Sequence, residues 1–122
     1  MKRIATALAK ALLEHHREVC QSRPGTTATV TEQEIRDSVI SYGDLCKKAD
    51  HPCVAIGCGR HLVQVAEWCQ QNNFPPLNSL AVNKRSKTPG RHYSRAKGCD
   101  VKKWREQVSE CIAFKNYPAT PV

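Results

Sequence analysis

"SYGDLCKKADHPCVAIGCGRHLVQVAEWCQQN", residues 41–72, is the stretch that decides the fold. Ser41 and Asp44 have the three-residue offset of a helix cap, which predicts a short helix over about 42–49. A proline then stands in the first turn of a longer helical pattern, which predicts a second helix over about 52–72. Two helices joined by a tight turn are typical of a helix-turn-helix. The expected buried face of the second helix comprises Val54, Leu62, Val65, Ala66 and Cys69.

A short β-hairpin is expected directly after this helix pair. The prolines of Phe74-Pro75-Pro76 end helical structure, and the alternation that follows predicts a strand over 77–82. Residues 83–90 are typical of a turn, and 91–93 can return as the antiparallel partner. The order helix, helix, strand, turn, strand is that of a winged helix.

Three further helices flank this core. Apolar residues at helical spacing predict an amphipathic helix over 3–20, which ends before a turn at Pro24-Gly25. Thr31 and Glu34 fit a capping box and predict a short helix over 32–39. A last amphipathic helix is expected over 101–114, with Trp104, Val108, Cys111 and Ile112 on its buried face. Trp68 and Trp104 both stand at apolar positions and are expected in the core.

The predicted fold class is therefore mainly α with a small β-hairpin, a winged helix-turn-helix core with added N- and C-terminal helices. A chain of 122 residues is the length of one domain. Its expected parts are an N-terminal helix and linker (1–30), the winged-helix core (41–93) and a C-terminal helix (98–115).

Four short motifs in this core follow one another in a familiar order: "SYGDLCKKA", "IGCGRHL", "PPLNSLAV" and "KTPGRHY". Together they resemble the DNA-binding domain of the alkylguanine-DNA alkyltransferases and alkyltransferase-like proteins, over residues 41–93. The resemblance implies a winged-helix fold and binding to duplex DNA. The reactive Pro-Cys-His-Arg of that family should fall on residues 78–81, where this chain has Asn-Ser-Leu-Ala and no thiol. Alkyl transfer is therefore not carried over.

The net charge of +8 is concentrated in one stretch. Between residues 84 and 105 nine cations face the single acid Asp100, so this stretch carries the whole net charge and the remaining chain is neutral. The nine are Lys84, Arg85, Lys87, Arg91, Arg95, Lys97, Lys102, Lys103 and Arg105. So local an excess indicates a polyanionic partner, either nucleic acid or an acidic protein. The plain alternative is a solvated face that keeps the protein in solution.

Two sets of residues are the candidate nucleic-acid contacts. On the second helix of the pair, Arg60, His61 and Gln64 could read base edges, and Glu67 is a further candidate. Arg60 is favoured because arginine pairs with guanine. Residues 83–97, here called the basic loop, are expected to contact phosphates. Its candidate residues are Lys84, Arg85, Lys87, Arg91, His92, Arg95 and Lys97.

Five soft ligands lie within sixteen residues: Cys46, His51, Cys53, Cys58 and His61. Zinc takes four such groups, but this spacing matches no standard zinc finger. We expect the thiols to be small buried residues without metal, and we expect no cofactor.

Three functions remain open. The favoured one is a non-catalytic protein that binds nucleic acid, duplex DNA before RNA. The second is a phage- or plasmid-type interaction or inhibitor protein whose basic patch binds an acidic protein. The third is a small RNase that uses His61 or His92.

The thiols and the chain's beginning bear on where the protein works. Lys10 and Glu14 interrupt the apolar residues at the start, so we expect neither a secretory signal nor a membrane span. Seven cysteines, an odd number, then predict reduced thiols and a cytoplasmic protein.

Overall fold

The computed structural model describes residues 1–20 and 30–121, and helices dominate these ranges. The α-helices are α1 (Arg3–Cys20), α2 (Glu32–Ser38), α3 (Tyr42–Lys48), α4 (Gly59–Gln71) and α5 (Trp104–Ala113). Two short strands, β1 (Ile40–Ser41) and β2 (Ala81–Val82), pair in parallel. Short 3-10 helices cover Ala55–Gly57, Leu77–Leu80, Arg91–Arg95 and Val101–Lys103. The mainly α class is confirmed, and the predicted β-hairpin is wrong.

The first helix is the centre of the core. Its face of Leu8, Leu12 and other apolar residues is fully buried, and α2, α3, α4 and α5 all pack on it. His16 is buried on the same face and donates from Nε2 to the Cys111 carbonyl oxygen at 2.8 Å.

Within residues 1–20 and 30–121, no helix combines the length and the apolar character needed to cross a membrane.

Local capping sets the starts of α2 and α3. The Glu34 N–H donates to Thr31 Oγ1 at 3.1 Å, and the Thr31 N–H donates to a Glu34 carboxylate oxygen at 3.2 Å. At the next helix the Asp44 N–H donates to Ser41 Oγ at 3.1 Å. Each helix begins at the predicted residue and ends one residue earlier than predicted, so both predicted helices are confirmed. The turn expected at Pro24-Gly25 lies outside the described residues.

The last helix buries the face expected of it. Trp104, Val108, Cys111 and Ile112 are all buried. The helix begins with a 3-10 turn over Val101–Lys103, which Asp100 caps by accepting the Lys102 N–H at 2.9 Å. Trp104 and Trp68 both lie in the core, as predicted.

The strand predicted over 77–82 is mostly a 3-10 helix. Leu77 and Leu80 are both fully buried, and a 3-10 turn places residues three apart on one side, which an extended chain cannot do. Trp104 holds this turn, because its indole N–H donates to the Ser79 carbonyl oxygen at 2.9 Å. Only Ala81 and Val82 are extended.

The return strand predicted over 91–93 is also wrong, because Arg91–Arg95 forms a 3-10 helix. Tyr93 and Ala96, again three residues apart, are both buried. The Tyr93 hydroxyl donates to the Gln107 side-chain oxygen at 2.6 Å. Burial of this aromatic ring against α5 therefore replaces strand pairing.

The second helix of the predicted pair begins at Gly59, seven residues later than expected. Asp50 and His51 both have left-handed backbone conformations, with φ of 65° and 54°, and turn the chain before it. The segment then passes through the 3-10 helix Ala55–Gly57. Val54 was expected in the core and is instead 73% exposed, whereas the rest of the predicted face is buried.

The parallel strand pair determines which loops meet. Ile40 pairs with Ala81 and Ser41 with Val82. Parallel strands bring their carboxyl ends to the same edge, so the start of α3 and the start of the basic loop lie side by side.

Candidate nucleic-acid interface

Tyr42, the first residue of α3, anchors the basic loop. Its ring is buried, and its hydroxyl oxygen accepts the Gly90 N–H at 2.7 Å. The same oxygen lies 3.5 Å from His92 Nε2, and the centroids of the two rings are 5.3 Å apart. Burial raises the pKa of Tyr42 to about 12, so the phenol stays neutral and keeps these contacts.

A second anchor joins the basic loop to the start of α4. A Cβ atom at Gly59 would lie 2.7 Å from the Cγ and Nδ1 atoms of His92, which is closer than such atoms approach. Only glycine therefore lets the imidazole lie against the first turn of α4. His92 is half-buried and packs between α3 and α4, and its phosphate contact stays a prediction.

The first half of the basic loop is closed by its own backbone. The Asn83 N–H donates to the Thr88 carbonyl oxygen at 2.9 Å, and the Lys87 N–H donates to the Asn83 carbonyl oxygen at 2.9 Å. Lys87 has a left-handed conformation with φ of 58°. Pro89 is buried where the loop returns to the core. The predicted turn is therefore present, although no second strand follows it.

The cations of this loop project outward from the two anchors. Six cations of this loop are exposed: Lys84, Arg85, Lys87, Arg91, Arg95 and Lys97. Within the ranges that the structure describes, none of the six forms an ion pair with an acid. Arg105, farther along the cationic stretch, is different because it pairs with Glu32. Six exposed cations without an acid partner in the described ranges therefore lie on this one loop.

The three predicted base-reading residues on α4 differ in how exposed they are. Arg60 is exposed in the first turn. Gln64 is half-buried, and its side-chain oxygen accepts the Lys2 N–H at 3.1 Å. His61 is half-buried beside a cavity at the start of α1, and its pKa is lowered by burial and by Arg60. Of these three residues, Arg60 is the exposed one. Glu67, weighed with them, is exposed about two turns later.

Three of the five candidate metal ligands lie close together. Cys46 and Cys53 have their sulfur atoms 3.7 Å apart, and Cys58 interacts electrostatically with both. Burial raises the pKa of Cys53 and of Cys58 to about 11, so both thiols are protonated at neutral pH. His51 is exposed, and His61 lines the cavity near α1. Across the described chain, no three His, Cys, Asp or Glu side chains are arranged to hold a metal ion.

The two histidines proposed for an RNase lie in different settings. His92 is fixed between Tyr42 and Gly59, and burial followed by Arg95 lowers its pKa. His61 lies on the other flank of α4, since residues two apart on a helix project about 200° apart. Among the described residues, neither imidazole is hydrogen-bonded to a carboxylate. Neither histidine therefore forms an acid–base pair with the other or with a carboxylate among the described residues.

The position of the family's reactive thiol is a buried polar turn here. Asn78 and Ser79 are both buried, and Asn78 Nδ2 lies 4.0 Å from Cys99 Sγ. Burial raises the pKa of Cys99. This thiol is therefore held in its unreactive, protonated form.

Two features of the site had weak signals in the sequence. The anchors at Tyr42 and Gly59 depend on contacts with residues about 48 and 33 positions away, which periodicity does not show. The one local hint is "GCG" at residues 57–59, because glycine has a low helix propensity and allows another segment to approach closely.

A scan against protein-family models found no match, and searches of curated proteins and of solved structures found no similar chain.

Proposed function

We propose that this is a non-catalytic DNA-binding protein of the winged-helix type. In this proposal the basic loop contacts the phosphates of a duplex, and the first turn of α4 lies at a groove. The observation that carries it is a set of exposed cations that have no acid partner among the described residues, on a loop that is fixed at both Gly90 and His92.

The fixed backbone of the basic loop favours binding to a partner over a surface that only keeps the protein in solution. A surface that only aids solubility usually mixes both signs of charge and needs no anchored backbone. Here one sign dominates, and Tyr42 and Gly59 hold the backbone that presents it. Phosphates recur at fixed intervals along a duplex, so a fixed row of cations can match several at once.

The charges along α4 limit which part of it approaches the duplex. Arg60 is exposed in the first turn, next to the glycine that holds the basic loop. Glu67 is exposed farther along and would be repelled by phosphates. The proposed contact is therefore end-on, through the start of the helix. Arginine there can donate two hydrogen bonds to a guanine edge.

The order of elements over residues 41–93 supports the winged-helix type. Two helices are followed by a buried turn and then by a loop that lies beside the second helix. The loop takes the place of a β-wing, since its backbone closes a turn between Asn83 and Thr88 and the chain then forms the 3-10 helix Arg91–Arg95.

One observation favours a second candidate, binding to an acidic protein. Val54 and Ile56, just before α4, are 73% and 100% exposed. An apolar spot beside a charged surface is typical of the core and rim of a protein interface. The cations would then face carboxylates instead of phosphates.

Binding measured at several salt concentrations tests the proposal. The same purified protein is titrated with random duplex DNA, with duplex RNA and with a panel of acidic proteins. We expect duplex DNA to bind most tightly, with a strongly negative slope of log affinity against log salt. Tight binding to an acidic protein without binding to DNA would contradict the proposal and support the second candidate.

The variant Arg60→Ala tests the role of α4 separately. We expect a loss of about 1–3 kcal/mol at a preferred sequence selected from random duplexes, with little change on other sequences. Arg36→Ala, an exposed arginine on α2, is the matched control. An equal loss on every sequence would show that Arg60 contacts phosphate instead of a base.

A further inference from the structure

A cavity of about 760 Å³ opens on the flank of α4 opposite the basic loop. His61 lines it, whereas Gly59, two residues earlier on the helix, carries the basic loop on the other flank. The other walls are the start of α1 and the segment Ala49–Pro52. Cavities of this size accept small organic ligands.

Hydrogen bonds hold both walls of the cavity in place. The Lys2 N–H donates to the Gln64 side-chain oxygen at 3.1 Å and ties the start of α1 to α4. On the other wall the His51 N–H donates to the Cys46 carbonyl oxygen at 2.7 Å. This bond fixes His51 in its left-handed conformation at the rim.

The lining is rich in basic groups. The cavity lining contains one acidic side chain, Asp50, and four basic ones: Lys2, Arg3, His51 and His61. In the part of the chain that the structure describes, neither Lys2 nor Arg3 forms an ion pair. A concave surface with clustered cations concentrates anions, because low-dielectric walls strengthen the attraction.

One atom in the wall lacks a partner. His61 Nδ1 is buried and has no hydrogen bond within the described chain. A buried polar atom without a partner costs about 1–3 kcal/mol, and an anion that pairs with this ring would offset that cost. An anion near this ring would stabilise its protonated form, in which both ring nitrogens donate.

We propose that this cavity binds the phosphate group of a small phosphorylated molecule. Lys2 and Arg3 supply the charge, and His51 and His61 supply hydrogen-bond donors. The phosphate can belong to a free small molecule or to the backbone of a bound duplex, and the position opposite the basic loop favours the free molecule. This inference does not depend on DNA binding.

The probe is inorganic phosphate, added to the full chain at constant ionic strength with chloride as the balancing anion. NMR follows the histidine ring signals at fixed pH. We expect saturable shifts of the His51 and His61 signals with phosphate and none with chloride. The variant Lys2→Ala/Arg3→Ala should weaken phosphate binding by about tenfold or more, because it removes two charged donors.

The control is Lys10→Ala/Arg17→Ala, which removes the same charge from exposed positions of the same helix. We expect it to bind phosphate like the unaltered chain. Equal weakening in both variants, or no saturable shift at His61, would overturn the proposal. In a separate arm, duplex DNA is titrated with and without phosphate at constant ionic strength. Unchanged DNA affinity assigns the cavity to a free molecule, and competition assigns it to a backbone phosphate.

Discussion

Gly59 determines how closely the basic loop approaches α4. Its missing side chain leaves room for the His92 ring, and a Cβ there would meet that ring at 2.7 Å. We expect Gly59→Ala to lower the free energy of unfolding by about 1–3 kcal/mol, because the ring and the loop must move. Urea denaturation followed by circular dichroism measures this change.

The matched control for this prediction is Gly43→Ala in α3, where nothing lies within 4 Å of a built Cβ. Alanine is the better helix former, so this variant should gain up to about 1 kcal/mol. The His92 contact is refuted as a constraint if both variants change stability in the same direction and by similar amounts.

The thiols provide a second prediction at the residue scale. A thiol needs a lowered pKa to attack an alkyl group, but burial raises the pKa of Cys69 to about 12 and also raises that of Cys99. We therefore expect no alkyl transfer from duplex DNA that contains O6-methylguanine. Intact-protein mass spectrometry should show no methyl adduct, and an adduct on any of the seven cysteines would contradict this expectation.

At the scale of elements, the parts predictable from sequence are those set by nearby residues. The starts of α2 and α3 follow from side chains three positions apart, Thr31 with Glu34 and Ser41 with Asp44. The hairpin was wrong because burial of Leu77, Leu80 and Tyr93 depends on α4 and α5, which local alternation does not include. The half-burial of His61 and Gln64 likewise depends on where the start of α1 packs.

The segment before α4 carries the element-scale prediction. Ile56 is fully exposed at a turn that the Gly57 N–H closes onto the Val54 carbonyl oxygen at 2.9 Å. We expect Ile56→Ala to change the free energy of unfolding by less than about 0.5 kcal/mol. Leu62→Ala, at a fully buried position of α4, should cost about 2–5 kcal/mol. Urea denaturation of both variants measures the difference, and a cost above about 1 kcal/mol for Ile56 would show that this turn packs on the core.

At the scale of the whole molecule, function depends on where the charge lies. The cationic stretch of residues 84–105 carries the entire net charge of +8, and the fold places six of its cations on one anchored loop. The order of charged residues in the sequence predicted the excess of cations and its position along the chain. It could not show that the loop is fixed, since the anchoring atoms belong to Tyr42 and Gly59.

The most direct test replaces Lys84, Arg85, Lys87 and Arg91 together by alanine and measures duplex DNA binding against salt. All four side chains are exposed, so circular dichroism should show an unchanged fold. We expect the slope of log affinity against log salt to become shallower by roughly 3 to 4 units, with all sequences weakened alike. A charge-matched control replaces Lys10, Arg17, Arg36 and Lys47, which are exposed on α1, α2 and α3, and should leave the slope nearly unchanged. A folded loop variant that binds DNA with the original slope would show that the basic loop does not contact phosphates.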